Sequence, residues 1–157
     1  EKVLYNYPVE SHVYVMDRKS GEQKVFEADS RFTKNVVEKC ESGNYEQWER
    51  HNIENPHFYD LMYLPQTGMY ARLHLGGIEF DATRDILNLM DDRDLYLTFF
   101  DKDFVVVGEA KLPSHRYNYF TGWRETNDGV ALFVDNSLDE NEKTEELVLD
   151  IVRLQAD

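Results

Sequence analysis

Hydrophobic and polar positions alternate in short runs along most of the chain, the two-residue period of β-strands. The densest run is Leu95–Leu112. Its first half, Leu95–Phe100, is apolar on both faces, with Leu95, Leu97 and Phe99 on one side and Tyr96 and Phe100 on the other. A strand of that kind belongs inside a layered structure, covered above and below. Asp101-Lys102-Asp103 then turns the chain into Phe104–Leu112, which predicts a hairpin.

The same pattern predicts further hairpins on either side. Residues 2–9 and 12–17 read as strands, and Gly21 supplies the positive φ of the turn that leads to Gln23–Ala28. His57–Leu64 returns as Met69–Leu75 around Pro65–Gly68, and Tyr117–Glu125 returns as Val130–Asp135 around Thr126-Asn-Asp-Gly129. Leu147–Leu154 closes the chain as a strand. Residues 30–55 differ and predict an irregular or partly helical connection. Phe32, Val36, Val37 and Cys40 lie near helical spacing, Ser30 or Thr33 can cap, and Gly43-Asn44 ends such a helix. Tyr45–Asn52 is either a second helical turn or a strand rim, and Thr83–Met90 predicts a short helix in an acidic segment.

Val13–Asp17 and Leu97–Asp101 form an imperfect repeat: each is an apolar strand ending in an aspartate that can hydrogen-bond into the following turn. The strands count as three, then four, then three. The predicted fold class is therefore all-β, one domain over residues 1–157, built of consecutive antiparallel β-blades as a partial β-propeller of two to three blades. An ordinary two-sheet β-sandwich is the alternative. A partial propeller leaves blade edges unpaired, which predicts self-association.

Composition narrows the classes of partner. Ten Tyr and nine Phe against two Trp suit sheets. A formal charge of −14 argues against nucleic acid, whose binders carry a basic footprint. Cys40 is the single cysteine, so neither an internal disulfide nor a Cys-x-x-Cys motif exists. The histidines at 12, 51, 57, 74 and 115 make no metal-ligand spacing, and neither a metal nor a cofactor is expected. The acidic clusters around Asp81–Asp94 and at Asp135, Asp139, Glu140 and Glu142 lack a calcium-loop pattern and read as solvated loops. No run is long enough for a transmembrane helix and no signal peptide opens the chain. The chain begins inside a strand-like segment, Lys2–Pro8, so further sequence upstream is expected.

Several pieces in order resemble a family of uncharacterised, propeller-like surface lipoproteins of Bacteroidetes-type gut bacteria, the domain-of-unknown-function family 4221. They are His12–Asp17 with its Lys-Ser-Gly turn, Pro56–Tyr59 through Met69–Arg72, Asp101–Glu109, Leu112-Pro113, and Asp128-Gly129 before Val130–Val134. No piece is specific alone; their order from about residue 3 to 154 carries the resemblance, which corresponds to the family's C-terminal half. Tyr63-Leu64-Pro65 stands where the family tends to write Tyr-Asp-Pro, and Ala71 replaces a usual tyrosine. A ligand role for that aspartate or tyrosine therefore does not carry over. The resemblance implies an exported, lipid-anchored parent protein at the cell envelope, outer-membrane-associated or periplasmic, and no known activity.

Two charges and three aromatics are the candidate binding residues. Arg72 and Glu109 fall within or beside apolar strands, where a charge must be paired or lie at a rim. The bland account is a structural ion pair or hydrogen-bonded rim group; the sharper one is that Arg72 faces a central pocket and holds an anionic ligand. Tyr63, Tyr70 and Trp123 offer stacking faces for a sugar ring or a protein partner. The expected function is non-enzymatic binding or scaffolding at the bacterial envelope, with a glycan or protein ligand. The alternative is a polysaccharide-active enzyme using scattered carboxylates as acid and base.

Overall fold

The computed structural model describes residues 1–41, 43–120, 122–139 and 146–155. Among these residues the fold is all-β apart from two short helices, and the strands form three antiparallel sheets laid down in chain order. The first sheet holds β1 (Lys2–Asn6), β2 (Val13–Asp17) and β3 (Gln23–Phe26). The middle sheet holds β4 (His57–Phe58) and β5 (Met62–Leu64), both paired to β6 (Met69–Leu75), followed by β7 (Leu95–Phe100) and β8 (Val106–Lys111). The third holds β9 (Trp123–Glu125), β10 (Val130–Phe133) and β11 (Leu149–Val152), with β10 central.

The middle sheet is covered on both faces, as the two-faced hydrophobicity of Leu95–Phe100 predicts; every residue of β7 is buried. Ala71, Leu73, Leu75, Leu95, Leu97 and Phe99 face the third sheet and pack with Val130, Leu132 and Tyr117. Phe100 and Phe104 face the first sheet and pack with Val13, Val15 and Ala28. Strands β5 and β4 share one side of β6 because the chain breaks at Tyr59–Leu61, so the sheet has four strand positions in its width.

The repeated aspartates act as expected. Asp17 Oδ1 accepts from the Lys19 and Ser20 amides, and Asp101 Oδ1 accepts from those of Asp103 and Val105. The second turn runs longer than the sequence suggests. Phe104 stands at a φ of 62°, so the return strand begins at Val106 rather than Phe104, and the ring turns inward against Phe26 and Tyr70.

Residues 30–55 are irregular first and helical later, so of the two helical segments expected only the one at Tyr45–Asn52 forms. Residues 30–40 hold no helix, because Ser30 and Asn35 bind each other through backbone and side chain. Ser30 Oγ also takes the Phe32 amide, and such local bonds compete with a helical ladder. Val36 instead bridges to Glu10. The helix lies later, as α1 (Tyr45–Glu54), and Asn44 starts it by accepting the Gln47 amide. A second helix, α2 (Ile86–Asp91), is capped by Asp85 within the predicted Thr83–Met90 region. Of the acidic residues read as a solvated loop, Glu140 and Glu142 lie outside the described residues.

Among the described residues no helix is long and apolar enough to cross a membrane, and no group of His, Cys, Asp or Glu is arranged to hold a metal ion.

Candidate functional site

Arg72 and Glu109 occupy one row across the middle sheet. The register pairs Arg72 of β6 with Thr98 of β7, and Thr98 with Glu109 of β8. All three side chains lie on the face turned toward the first sheet. Arg72 is 1% exposed and donates from Nη1 to the Ser11 carbonyl (2.7 Å) and from Nη2 to the Ala28 carbonyl (2.8 Å). Its guanidinium also sits over the rings of Phe58 and Phe100, at 4.9 and 5.2 Å. Burial pushes its pKa down to about 10, opposed by the charges of Glu109 and Asp29, and the group stays cationic at neutral pH.

Glu109 is held equally firmly. Its side chain is 1% exposed; Oε1 accepts from Thr98 Oγ1 at 3.2 Å and Oε2 from the Arg31 amide at 3.0 Å. The Arg31 side chain closes over it at 3.4 Å. Beside this row His74 is fully buried, stacked between Phe58 and Tyr96, and neither ring nitrogen has a hydrogen-bond partner among the described residues. Nε2 stands 4.0 Å from the Glu109 carboxylate, too far to bond. Burial, helped by the Arg72 charge, pushes the imidazole down to about 3, so His74 is neutral. The row thus joins the first sheet to the middle one through a buried polar cluster. Neither Arg72 nor Glu109 lines any of the three clefts described below.

The three aromatic candidates are brought together elsewhere. Strands β1 of the first sheet, β5 of the middle sheet and β9 of the third run along a common side of the molecule, and two clefts flank β5. One, of about 520 Å³, lies toward β9 and is lined by Asp60, Tyr63, Pro65, Trp123 and Glu125 among others. The other, of about 440 Å³, lies toward β1 and is lined by Tyr5, Asn6, Asp60, Tyr63 and Tyr70. Tyr63 is half exposed and belongs to both.

Local pairing fixes these side chains. Tyr63 and Tyr70 are direct partners in the β5–β6 ladder with rings 5.3 Å apart, and Tyr70 is backed by Phe104 at 4.9 Å. Trp123 rests on Tyr59 at 4.4 Å, and the Tyr59 hydroxyl, whose pKa burial raises, donates to the Tyr119 carbonyl. Asn6 Nδ2 donates to the Tyr59 carbonyl at 3.0 Å, so the first sheet is tied to the same segment. Each ring is supported from behind, an arrangement that presents flat apolar faces beside the hydrogen-bonding side chains of Asp60 and Glu125. Asp60 carries no strand pattern or motif, and only the irregular break between β4 and β5 places it in both clefts.

Consecutive antiparallel sheets, each lending one strand to a common face, define the class of protein. The chain belongs to the DUF4221 family, a domain of unknown function, whose model matches residues 1–111. In fold it is similar to the crystal structure of a DUF4221 member from Bacteroides vulgatus ATCC 8482, with a TM-score of 0.77 at 18% identity. That likeness covers 98% of this chain and 43% of the other, so the chain spans less than half the length of that relative. No curated protein matches it.

Proposed function

We propose that the chain forms part of a propeller-like, non-enzymatic binding module of a cell-envelope lipoprotein, and that the β1–β5–β9 face takes a glycan. The observation that carries this is the position of Tyr63, shared by two clefts and set between Tyr70 in one and Trp123 in the other. Supported aromatic faces with adjacent carboxylates suit sugars, which present apolar ring faces and hydroxyl donors together. The lipid anchor and envelope location rest on the family resemblance in sequence order. The propeller arrangement is supported by the three sheets in chain order and by β1, β5 and β9 lying side by side.

Tryptophan fluorescence and affinity electrophoresis across a panel of polysaccharides test the reading. At least one glycan is expected to bind, with Tyr63→Ala and Trp123→Ala each weakening it about tenfold or more. A panel that leaves fluorescence and mobility unchanged defeats the proposal.

The polysaccharide-active enzyme is the second reading, because Asp60 and Glu125 line the Trp123 cleft together. Both carboxylates are exposed, whereas a general acid at neutral pH needs an environment that keeps it protonated. Release of reducing ends from a bound glycan, abolished by Asp60→Asn or Glu125→Gln, would establish catalysis over simple binding.

A further inference from the structure

A third cavity, of about 370 Å³, lies away from the β1–β5–β9 face, between α1, α2 and the start of the middle sheet. Its volume is that of a small-molecule site. Trp48 and Tyr45 stack at 5.7 Å on one side of it and are both exposed, while the buried Ile53 and the partly buried Met90 and Ile86 supply apolar wall.

The polar part of the wall is unusual. Arg93 is 5% exposed, and its guanidinium donates to the carbonyls of Gly76 (2.8 Å), Asn52 (3.0 Å) and Asn55 (2.6 Å). Carbonyl dipoles hold it, and among the described residues no carboxylate pairs with it. Burial lowers its pKa only to about 10, so a full positive charge sits in the wall without a counter-ion. Of the five N–H groups of an arginine, one is left only the Met90 sulfur at 3.5 Å and one has no acceptor among the described residues. His57, also in the lining, has its pKa lowered by burial and by the Arg93 charge, and its ring makes no hydrogen bond among the described residues. Glu49 shares the lining but is partly solvated, where its charge is screened far more than that of Arg93.

We propose that this cavity binds a small aromatic carboxylate, its ring against Trp48, Ile86 and Met90 and its anion toward Arg93 and His57. An anion there compensates a charge that no described carboxylate pairs, and a flat apolar body covers the hydrocarbon of the wall. The site is independent of the glycan face.

The test uses three probes that share a phenyl ring and differ in charge: phenylacetate, 2-phenylethanol and phenethylamine. Calorimetry is combined with NMR of the Ile53, Met90 and His57 resonances. Phenylacetate is expected to bind about tenfold or more tighter than the alcohol, with the amine weakest, and to shift those resonances. Ile86→Trp, at a partly exposed position, fills the cavity and is expected to abolish binding of all three. Arg93→Met is expected to remove the preference for the anion while leaving the alcohol's affinity; if that variant does not fold, Ile86→Trp and the probe order still decide. Equal affinity for alcohol and carboxylate, binding unaffected by Ile86→Trp, or no saturation below about 10 mM for any probe overturns the proposal.

Discussion

Arg72 and Glu109 lie two strands apart in one cross-strand row, with Thr98 between them, and do not form an ion pair. Arg72 spends its donors on the carbonyls of Ser11 and Ala28, and Glu109 takes the Thr98 hydroxyl and the Arg31 amide. Each charge therefore fastens the middle sheet to a different part of the chain before residue 32. Their influence on one another is through space, inside a layer that excludes water.

That arrangement predicts a structural role for Arg72. Arg72→Ala leaves two buried carbonyls without donors and opens a void under Phe58 and Phe100, and is expected to cost about 3–5 kcal/mol. A shift of the urea midpoint at constant m-value measures it. Glu109→Gln keeps one acceptor oxygen, for the Arg31 amide, and places an NH2 beside the Thr98 hydroxyl, which can turn to accept from it; the change is expected to cost about 1 kcal/mol. A larger loss for the glutamine than for the alanine variant would contradict this account.

His74 makes stability depend on pH. Its folded pKa of about 3 lies below its ordinary 6.5, so the unfolded chain takes up the proton first. The contribution is complete above 6.5 and is lost as pH falls from 6.5 toward 3. His57, also lowered by burial, adds to the same trend. His74→Phe preserves the stack between Phe58 and Tyr96, and is expected to reduce the slope of stability against pH by about 1.4 kcal/mol per unit in that window. An unchanged slope would assign the titration to other groups.

Two glycines should respond in opposite directions. A Cβ at Gly129 would stand 2.4 Å from the Val152 carbonyl oxygen, in the backbone of the adjoining strand. Gly129→Ala is therefore expected to lower stability by about 1–3 kcal/mol. Gly43 meets nothing within 4 Å, and Gly43→Ala is expected to be neutral or to stabilise by about 0.5 kcal/mol through the unfolded state. Thermal melts of both variants decide the point.

Self-association is expected through the outer sheet faces as well as through edges. On the first sheet Tyr5, Tyr14 and Val25 form one outward row, and on the third Leu149 and Ile151 are each 47% exposed. Light scattering at high concentration is expected to give a mass above that of one chain, with Leu149→Lys and Ile151→Lys together shifting it down. A clean monomer in the unaltered protein would contradict this.

The sequence by itself determined the β character, the order of the three sheets, the turns at Asp17 and Asp101, and the burial of β7 from both sides. These depend on local alternation, on side chains that bond within a few residues, and on apolar content, all of which are written next to one another. Of the two helical segments it offered, the one after Ser30 does not form, because Ser30 and Asn35 bind each other, while the one at Tyr45–Asn52 does, begun by the Asn44 that was expected to end a helix. Tertiary structure alone decided the sites. Arg72 stands out in sequence as a charge in a strand, yet only the carbonyls of Ser11 and Ala28 make it a fastener. Tyr63 is in sequence one stacking face among three, and only the break at Tyr59–Leu61 sets β5 between β1 and β9. Arg93 gives no signal at all, since its unpaired charge follows from three carbonyls contributed by α1, the residue just past it, and Gly76. Distances across the chain of that kind are set by how the sheets pack, and no local pattern records them.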